Sequence, residues 1–217
     1  MLHALIPTRH EFNLATHQGT QFLQLAEFHV HILVGHSSIY EAYAHGVTTI
    51  NLQDEDVVLL VHDDVHFHGL TGETFVRLLR RHLDMPGAGF VGVAGCRTLQ
   101  HHLAWWRNAS GATALAGQVY HGLDRATAER SFFGPAGRVA VLDGVILAAT
   151  GRTMRSIRLD APSGLAAAWH FYDVSVTLQA HFAGLSNVAL PLGVYHGSKG
   201  KPDAAWEVRR ARIDRAV

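Results

Sequence analysis

The sequence predicts an α/β fold built on a mostly parallel central sheet flanked by helices. Short apolar runs alternate along the chain with segments of helical periodicity, as in α/β proteins. The chain opens in the order strand, helix, strand, helix, strand, which favours parallel neighbours. The third predicted strand, Val57–Val61, is aliphatic at every position rather than alternating, as expected for a strand covered on both faces.

The first half of the chain supplies most of the predicted sheet. Its predicted elements, in order, are a strand at Leu2–Ile6, a helix at Thr20–Phe28, a strand at Val30–Val34, a helix at Ser38–Gly46, the strand at Val57–Val61, a helix at Gly72–Leu83 and a strand at Phe90–Ala94. We expect Pro7 to end the first strand, because proline cannot donate a ladder hydrogen bond. Ser37 or Ser38 should cap the second helix, which has Glu41 in its first turn.

The second half repeats the alternation with shorter strands. Its predicted elements are a strand region at Arg138–Leu142 and Val145–Ala149, a helix at Tyr172–Ala183, a short strand at Val188–Leu190 followed by Val194–His196, and a last helix at Ala204–Val217. Gly184 is placed to end the helix before it in a left-handed conformation. The sequence has no internal repeat and no long linker, so we expect one domain over residues 1–217.

Composition excludes several classes of protein. The 217 residues are 48% hydrophobic, enough for a sizeable core, and 18 basic residues balance 18 acidic ones. That balance predicts no nucleic-acid partner and no anionic membrane surface. The lone Cys96 fits a reducing compartment. With no signal peptide and no apolar run of about 20 residues, we expect a cytoplasmic protein without a transmembrane segment, compatible with a homo-oligomer.

The end of the third strand is unusually polar, with His62, Asp63 and Asp64 following five aliphatic residues. Ligands of open α/β sheets bind beyond the carboxyl ends of the strands. Alternate residues of an extended chain point the same way, so His62 and Asp64 can face one site. An imidazole with a carboxylate suits Mn²⁺, or Mg²⁺ with fewer nitrogen ligands. A polar loop in which Asp63 caps a turn is the alternative.

Two later stretches carry further candidate groups. Asp173 falls at the start of a predicted helix, where it either serves the helix dipole or acts as a general base kept ionised by that dipole. In the glycine-rich stretch Tyr195–Gly200, His196 is a candidate third metal ligand and Lys199 a candidate phosphate clamp. An ordinary surface loop near the C-terminus is the alternative for this stretch.

A pair of tryptophans and one turn complete the set. Trp105 and Trp106 adjoin a Gly- and Ala-rich segment and predict an exposed aromatic platform, although one of the two is more often core. Gly144 between two predicted strands indicates a bulge or a tight turn from which Asp143 projects.

Taken in order, these stretches resemble the family-2-like glycosyltransferases of the streptomycin-biosynthesis type, which have the GT-A nucleotide-diphospho-sugar transferase fold. The resemblance runs from Leu5 to Gly200, and it lies in the ordered set rather than in any one motif. The stretches are Ser37–Tyr43, Leu60–Val65, Val91–Gly95, Trp105-Trp106, Leu142–Gly144, His170–Asp173 and His196–Gly200.

The resemblance implies a metal-dependent, inverting transfer of a sugar from a nucleotide-diphosphate sugar to an unknown acceptor hydroxyl. His62 and Asp64 occupy the aspartate-x-aspartate positions, and His196 resembles the late histidine that completes the site for Mn²⁺ or Mg²⁺. Asp173 resembles the base of inverting members. The resemblance assigns binding of the nucleotide-sugar donor to Pro7, Thr8, Arg9, Ser38, Asp63, Asp143, Gly144 and Lys199. Acceptor contact falls to Trp105, Trp106 and His170.

Two other functions remain open on the sequence. A catalytically weak or inactive GT-A-like module would bind a nucleotide sugar or a protein partner. It is motivated by His36 and His45, which stand where the family carries other polar residues. A metal hydrolase would use His62, His66 and His68 as ligands, but no motif such as His-Glu-x-x-His supports it.

Overall fold

The computed structural model describes residues 1–11, 13, 15–98, 104–107, 112–161 and 169–198. The predicted helix at Ala204–Val217 lies outside the described residues. No helix among the described residues combines the length and the apolar composition needed to cross a bilayer.

Thirteen strands and five α-helices make up the described part of the chain. The strands are β1 (Leu2–Thr8), β2 (His29–Val34), β3 (Val57–Val61), β4 (Val65–Phe67), β5 (Ala88–Gly92), β6 (Ala94–Cys96), β7 (Leu115–His121), β8 (Glu129–Gly134), β9 (Gly137–Val139), β10 (Val141–Leu142), β11 (Ile146–Thr150), β12 (Ser186–Ala189) and β13 (Val194–His196). The helices are α1 (Gln18–Leu25), α2 (Ile39–Thr49), α3 (Gly72–Leu83), α4 (Gly151–Ser156) and α5 (Tyr172–Phe182), with 3₁₀ turns at Trp105–Arg107 and Ala112–Ala114.

The main sheet has seven strands in the order β2-β1-β3-β11-β5-β12-β9. Strand β1 is parallel to β2 and β3, β11 is antiparallel to β3 and β5, β12 is parallel to β5, and β9 is antiparallel to β12. Five strands therefore run in one direction and only β11 and β9 oppose them. The predicted mostly parallel sheet, with helices on its faces, is confirmed.

The middle of this sheet separates two hydrophobic cores. Along β3, Val57, Leu59 and Val61 pack in one core, which includes Phe75 and Leu79 of α3. The intervening Val58 and Leu60 pack in the other core, which includes residues of α2, α4 and α5. All five side chains of β3 are buried. The aliphatic sequence thus reflects a strand covered on both faces, as predicted.

Strand β1 does not end at Pro7 but continues to Thr8. Its pairing with β3 covers only Leu2 to Leu5, whereas its pairing with β2 continues to Thr8. Pro7 therefore lies where β1 has a neighbour on one side only, and a residue without an N–H is tolerated there as it is on an edge strand. The extension carries Pro7 and Thr8 to the carboxyl edge of the sheet.

A second sheet, in the order β10-β6-β7-β13-β4 with β8 against β7, adjoins that edge. Strand β13 pairs with β4 in antiparallel fashion, and His196 is opposite Val65. Since β4 begins just after the polar end of β3, this pairing places His196 beside His62 and Asp64. The sequence did not predict this sheet, and its pairing of β13 with β4 brings His196 to the polar end of β3.

The start of α5 is tied to the core by hydrogen bonds that involve Thr177 in the middle of that helix and Asn187 in β12. The buried Asn187 side chain donates to the carbonyls of Ala140 and Thr177 and accepts from the N–H of Phe90. The Thr177 hydroxyl in turn donates to the carbonyl of Asp173. Buried polar groups satisfied in this way hold neighbouring elements in register. The position of Asp173 is therefore determined by the core as well as by its own loop.

Candidate active site and metal centre

A cavity of about 1210 Å³ opens at the carboxyl ends of β1 and β3, between the two sheets. Thirteen of the fifteen residues that the sequence assigned to a site line it: Pro7, Thr8, Arg9, His62, Asp63, Asp64, Trp105, Trp106, Asp143, Gly144, His170, Asp173 and His196. Ser38 does not line it, and Lys199 lies outside the described residues. A cleft at this edge is where open α/β sheets bind ligands.

Three of these side chains converge on one point. One ligand atom from each of His62, Asp64 and His196 lies within 4.8 Å of the others. His62 Nδ1 is 3.2 Å from His196 Nε2, which is 3.1 Å from Asp64 Oδ1. No other group of three or more histidine, cysteine or acidic side chains in the described ranges converges in this way. Two imidazoles and a carboxylate form a set that suits a divalent metal ion.

The protonation states of His62 and Asp64 are those that a metal requires. Burial, with the nearby His196, lowers the pKa of His62 to about 4, so its imidazole is neutral at pH 7. Burial would raise the pKa of Asp64, but the hydrogen bond and charge of His196 outweigh it and lower that pKa to about 2. Burial would lower the pKa of His196, but its hydrogen bond to Asp64 and the Asp64 charge raise it overall.

Backbone groups hold Asp64 in place. The N–H of Ser198 donates to Asp64 Oδ2 over 2.9 Å, and the N–H of Gly197 donates to the Asp64 carbonyl over 2.8 Å. A β-carbon at Gly197 would approach the Asp64 side chain and carbonyl to 3.2–3.3 Å, so the loop after β13 lies tightly against the site. This leaves Asp64 Oδ1 directed at His196.

Asp173 lines the same cavity from the first turn of α5. Its Oδ2 accepts a hydrogen bond from the N–H of Gly144 over 3.0 Å. Burial, and then the charge of Asp143, raise the pKa of Asp173 to about 7. Desolvation and the like charge of Asp143 therefore outweigh the stabilisation that the helix dipole gives the ionised form. A carboxyl that titrates near neutrality is suited to accept a proton.

The loop before α5 is held in an uncommon backbone conformation. Phe171, the N-cap residue, has φ 68° and makes no side-chain capping bond. A bulky residue in the left-handed region costs on the order of 1 kcal/mol. The buried Phe171 ring offsets that cost, and the turn presents Tyr172 and Asp173 to the cavity.

The tryptophans do not form an exposed platform. Trp105 is 4% exposed and packs edge-to-face on Phe133, so it belongs to the core, while Trp106 is half-buried against it. The exposed platform is therefore wrong, and the alternative that one of the two is core holds for Trp105, because the 3₁₀ turn at Trp105–Arg107 packs its ring against Phe133 of β8. Both rings still line the cavity. A third tryptophan, Trp169, carries the Arg9 guanidinium 5.2 Å above its ring, a contact that the sequence did not indicate.

Asp143 and Gly144 form the tight turn that the sequence predicted. The N–H of Val145 donates to Asp143 Oδ1 over 3.0 Å, and the N–H of Asp143 donates to the Ala94 carbonyl. Burial raises the pKa of Asp143. Gly144 allows the close approach of α5, because a β-carbon there would lie 2.6 Å from the Tyr172 hydroxyl.

Other candidates take structural positions. Ser38 is 1% exposed and caps α2 by accepting from the N–H of Glu41. His36 and His45 lie against each other, with ring centroids 5.1 Å apart, and neither lines the cavity. The hydrolase set is not brought together, since His62 joins Asp64 and His196 instead.

Several cavity-lining residues were not predicted from the sequence. The cavity wall includes Tyr172, whose hydroxyl contacts His62, and also His17 and His66, whose rings meet at 5.3 Å. Tyr172 adjoins Asp173 in the stretch His170–Asp173, and its place beside a candidate base was the available signal. No sequence pattern joins His17 to His66, which belong to different elements.

The chain is similar to one protein family and to two solved structures. The profile of a glycosyltransferase-like family matches residues 26–199. The crystal structure of A197 from STIV is similar at a TM-score of 0.54 and 14% identity, over 91% of this chain and 86% of that one. A CMP:2-keto-3-deoxy-manno-octonic acid synthetase complexed with CTP gives a TM-score of 0.44 and 11% identity, over 100% and 99% of the two chains. No curated protein matches the sequence significantly.

The family match includes β3, the turn at Asp143-Gly144, the start of α5 and His196, which together build the cavity wall. The central mixed sheet with helices on both faces is the GT-A-like fold that the resemblance implied. The match covers well over half of the sequence, and the chain belongs to this glycosyltransferase-like family.

Proposed function

We propose that the protein is a metal-dependent, inverting glycosyltransferase that moves a sugar from a nucleotide-diphosphate sugar to an acceptor hydroxyl. The observation that carries this proposal is a single cavity with His62, Asp64 and His196 at one point of its wall and Asp173 at another. Family membership supports the transfer of a sugar from a nucleotide donor, and the cavity supplies groups suited to each end of that reaction.

The three ligand residues fit a divalent metal. His62 is neutral and Asp64 ionised at pH 7, which are the forms that bind metals. Mn²⁺ accepts two imidazoles with a carboxylate more readily than Mg²⁺ does, since Mg²⁺ prefers oxygen ligands. When bound, such an ion supplies Lewis-acid stabilisation of the negative charge on a diphosphate.

Asp173 fits the base of an inverting transfer. The acceptor oxygen attacks the anomeric carbon on the face opposite the diphosphate, its proton passes to a carboxylate oxygen of Asp173, and the carbon–oxygen bond to the diphosphate breaks. The pKa of Asp173 at about 7 leaves a large fraction of the carboxyl ionised at neutral pH, yet basic enough to take a proton. Its hydrogen bond from Gly144 orients the group toward the cavity.

We assign the remaining walls to the two substrates. Pro7, Thr8 and Arg9 lie at the carboxyl end of β1 and would meet the nucleotide, with Arg9 held over Trp169. Trp106 and His170 would contact the acceptor, because flat aromatic surfaces pack well on sugar rings. Trp105 supports Trp106 from the core.

A panel of thermal melts tests this proposal. We expect one of UDP, GDP, CDP and dTDP to raise the melting temperature in the presence of Mn²⁺ and to have little effect with a chelator. A nucleotide at 100 times its dissociation constant stabilises the folded state by about 2.7 kcal/mol, a shift that is easily measured. Equal shifts with and without metal would contradict the metal role, and no shift with any nucleotide would contradict the donor class.

A further inference from the structure

We propose that Tyr172 is a positioning residue for the metal centre: its hydroxyl fixes His62 as the tautomer with hydrogen on Nε2 and a lone pair on Nδ1. The inference rests on the proposed metal role of His62 but concerns the metal-free protein. Tyr172 would act through His62 rather than as a metal ligand itself. Its contribution would be to direct the ligand lone pair of His62 toward Asp64 and His196.

The hydrogen bonds of the Tyr172 hydroxyl determine this tautomer of His62. The hydroxyl has one hydrogen, and it donates that hydrogen to the carbonyl oxygen of Gly144. A carbonyl oxygen only accepts, so the direction of this bond is fixed. Toward His62 Nε2, 3.3 Å away, the hydroxyl oxygen can only accept. The hydrogen in that contact must therefore belong to Nε2 of His62.

The other side of the His62 ring agrees with this assignment. A neutral imidazole carries one N–H, so hydrogen on Nε2 leaves Nδ1 with its lone pair. Nδ1 faces His196 Nε2 at 3.2 Å, and His196 Nε2 also faces Asp64 Oδ1 at 3.1 Å. An ionised carboxylate only accepts, so in the metal-free protein the hydrogen in this cluster belongs to His196 Nε2, between two acceptors. A metal ion would replace that hydrogen.

The same peptide also reaches the proposed base. The carbonyl of Gly144 accepts from Tyr172, and the N–H of Gly144 donates to Asp173 Oδ2. A β-carbon at Gly144 would approach the Tyr172 hydroxyl to 2.6 Å and the Asp173 β-carbon to 3.0 Å. One glycine turn therefore ties the orientation of a metal ligand to that of the base. Partners of this kind, behind a metal ligand, set its tautomer and its orientation.

The test without metal is nitrogen NMR of the wild-type protein labelled with ¹⁵N-histidine, at pH 7.5 and with a chelator present. A His62→Gln variant identifies the His62 signals. We expect Nε2 to show the N–H type of resonance and Nδ1 the lone-pair type. Hydrogen on Nδ1, or an even mixture of tautomers, would overturn the proposal. Since no variant of Tyr172 is needed, a folding failure cannot obscure the result.

A second test measures Mn²⁺ affinity by calorimetry for Tyr172→Phe, which removes one oxygen atom. Loss of a partner behind a metal ligand typically lowers affinity by roughly 10–100-fold, and we expect a fall in that range together with a mixture of His62 tautomers. The matched control is Tyr40→Phe: the buried Tyr40 hydroxyl has no hydrogen-bond partner among the described residues, so affinity and tautomer should not change. Unchanged affinity and tautomer in Tyr172→Phe would contradict the role.

The two proposals fail separately. A wild-type protein that shows hydrogen on Nε2 of His62 but binds no Mn²⁺ supports the role of Tyr172 and contradicts the metal-dependent function. A protein that binds Mn²⁺ but has hydrogen on Nδ1 of His62 supports the metal site and contradicts the role of Tyr172.

Discussion

Replacing Asp173 with asparagine should lower the rate of sugar transfer by roughly 10²–10⁴-fold, the usual contribution of a positioned general base. Asparagine keeps the shape of the side chain and can still accept from the N–H of Gly144, but it cannot take the proton of the attacking hydroxyl. Nucleotide binding should change little, because Asp173 lies apart from the cluster of His62, Asp64 and His196. The loss should therefore fall on kcat rather than on the affinity for the donor.

The assay does not require the natural acceptor. Water entering the cavity can attack the anomeric carbon of the nucleotide sugar, and release of the nucleoside diphosphate reports that reaction. Asp160→Asn is the matched control, since Asp160 is an exposed carboxylate that pairs with Arg158. A fully active Asp173→Asn protein would remove this residue from the role of base.

The rate of the same reaction should increase with pH up to about neutrality. A base must be ionised to act, and the pKa of Asp173 is about 7, so the rate should fall as the pH drops below 7 and level off above it. Burial is the main cause of the raised pKa and the charge of Asp143 the second. In Asp143→Asn the midpoint of the profile should move to lower pH, and a midpoint that stays fixed would contradict the coupling.

Replacing Asp64 with alanine should remove the effect of metal on nucleotide binding. Loss of a partner behind a ligand costs about 10–100-fold in metal affinity, so loss of a ligand itself should cost roughly 100-fold or more. The variant should also lose its metal-dependent thermal shift with the preferred nucleotide. Because Asp64 accepts bonds from Ser198 and His196, the metal-free variant should melt at a lower temperature as well.

The comparison must therefore use Mn²⁺ affinity measured by calorimetry at a temperature where both proteins are folded. Glu55→Ala is the control, since Glu55 is an exposed carboxylate that precedes β3, whereas the cluster lies beyond the other end of that strand. Wild-type Mn²⁺ affinity in Asp64→Ala would contradict the ligand assignment.

Local patterns predicted the main sheet well. The aliphatic run Val57–Val61 predicted a strand covered on both faces. Gly184, with φ 79°, follows the end of α5 as its sequence position indicated. Helix α3 matches its predicted bounds because apolar side chains recur at helical spacing and Thr71 caps its start. These features depend on neighbours in sequence, which is why the sequence alone could predict them.

The second sheet was not predictable in the same way. Strands β4, β6 and β10 have only two or three residues, too few to show a period. Strand β7 contains Gly117 at φ 85° and begins in a segment that resembles a loop. Their pairings are long-range, as between β13 and β4, and no local signal specifies them.

In the candidate site, too, the features set by neighbours in sequence were predictable and those set by distant residues were not. His62 and Asp64 are two residues apart at a strand end, so their common direction followed from the backbone period. The pKa of Asp173 depends instead on Asp143, a carboxylate 30 positions earlier, and on burial by the surrounding elements. The role of Tyr172 depends on the Gly144 carbonyl. Every residue has a backbone carbonyl, so no sequence pattern could indicate this contact.

Anomalous X-ray diffraction at the manganese edge, from crystals grown with Mn²⁺ and the stabilising nucleoside diphosphate, tests the central claim most directly. We expect one peak bonded to His62, Asp64 and His196, with the diphosphate completing its coordination and Asp173 facing the vacant sugar position. A nucleotide bound in the cavity without a manganese peak at these three residues would contradict the metal-dependent mechanism.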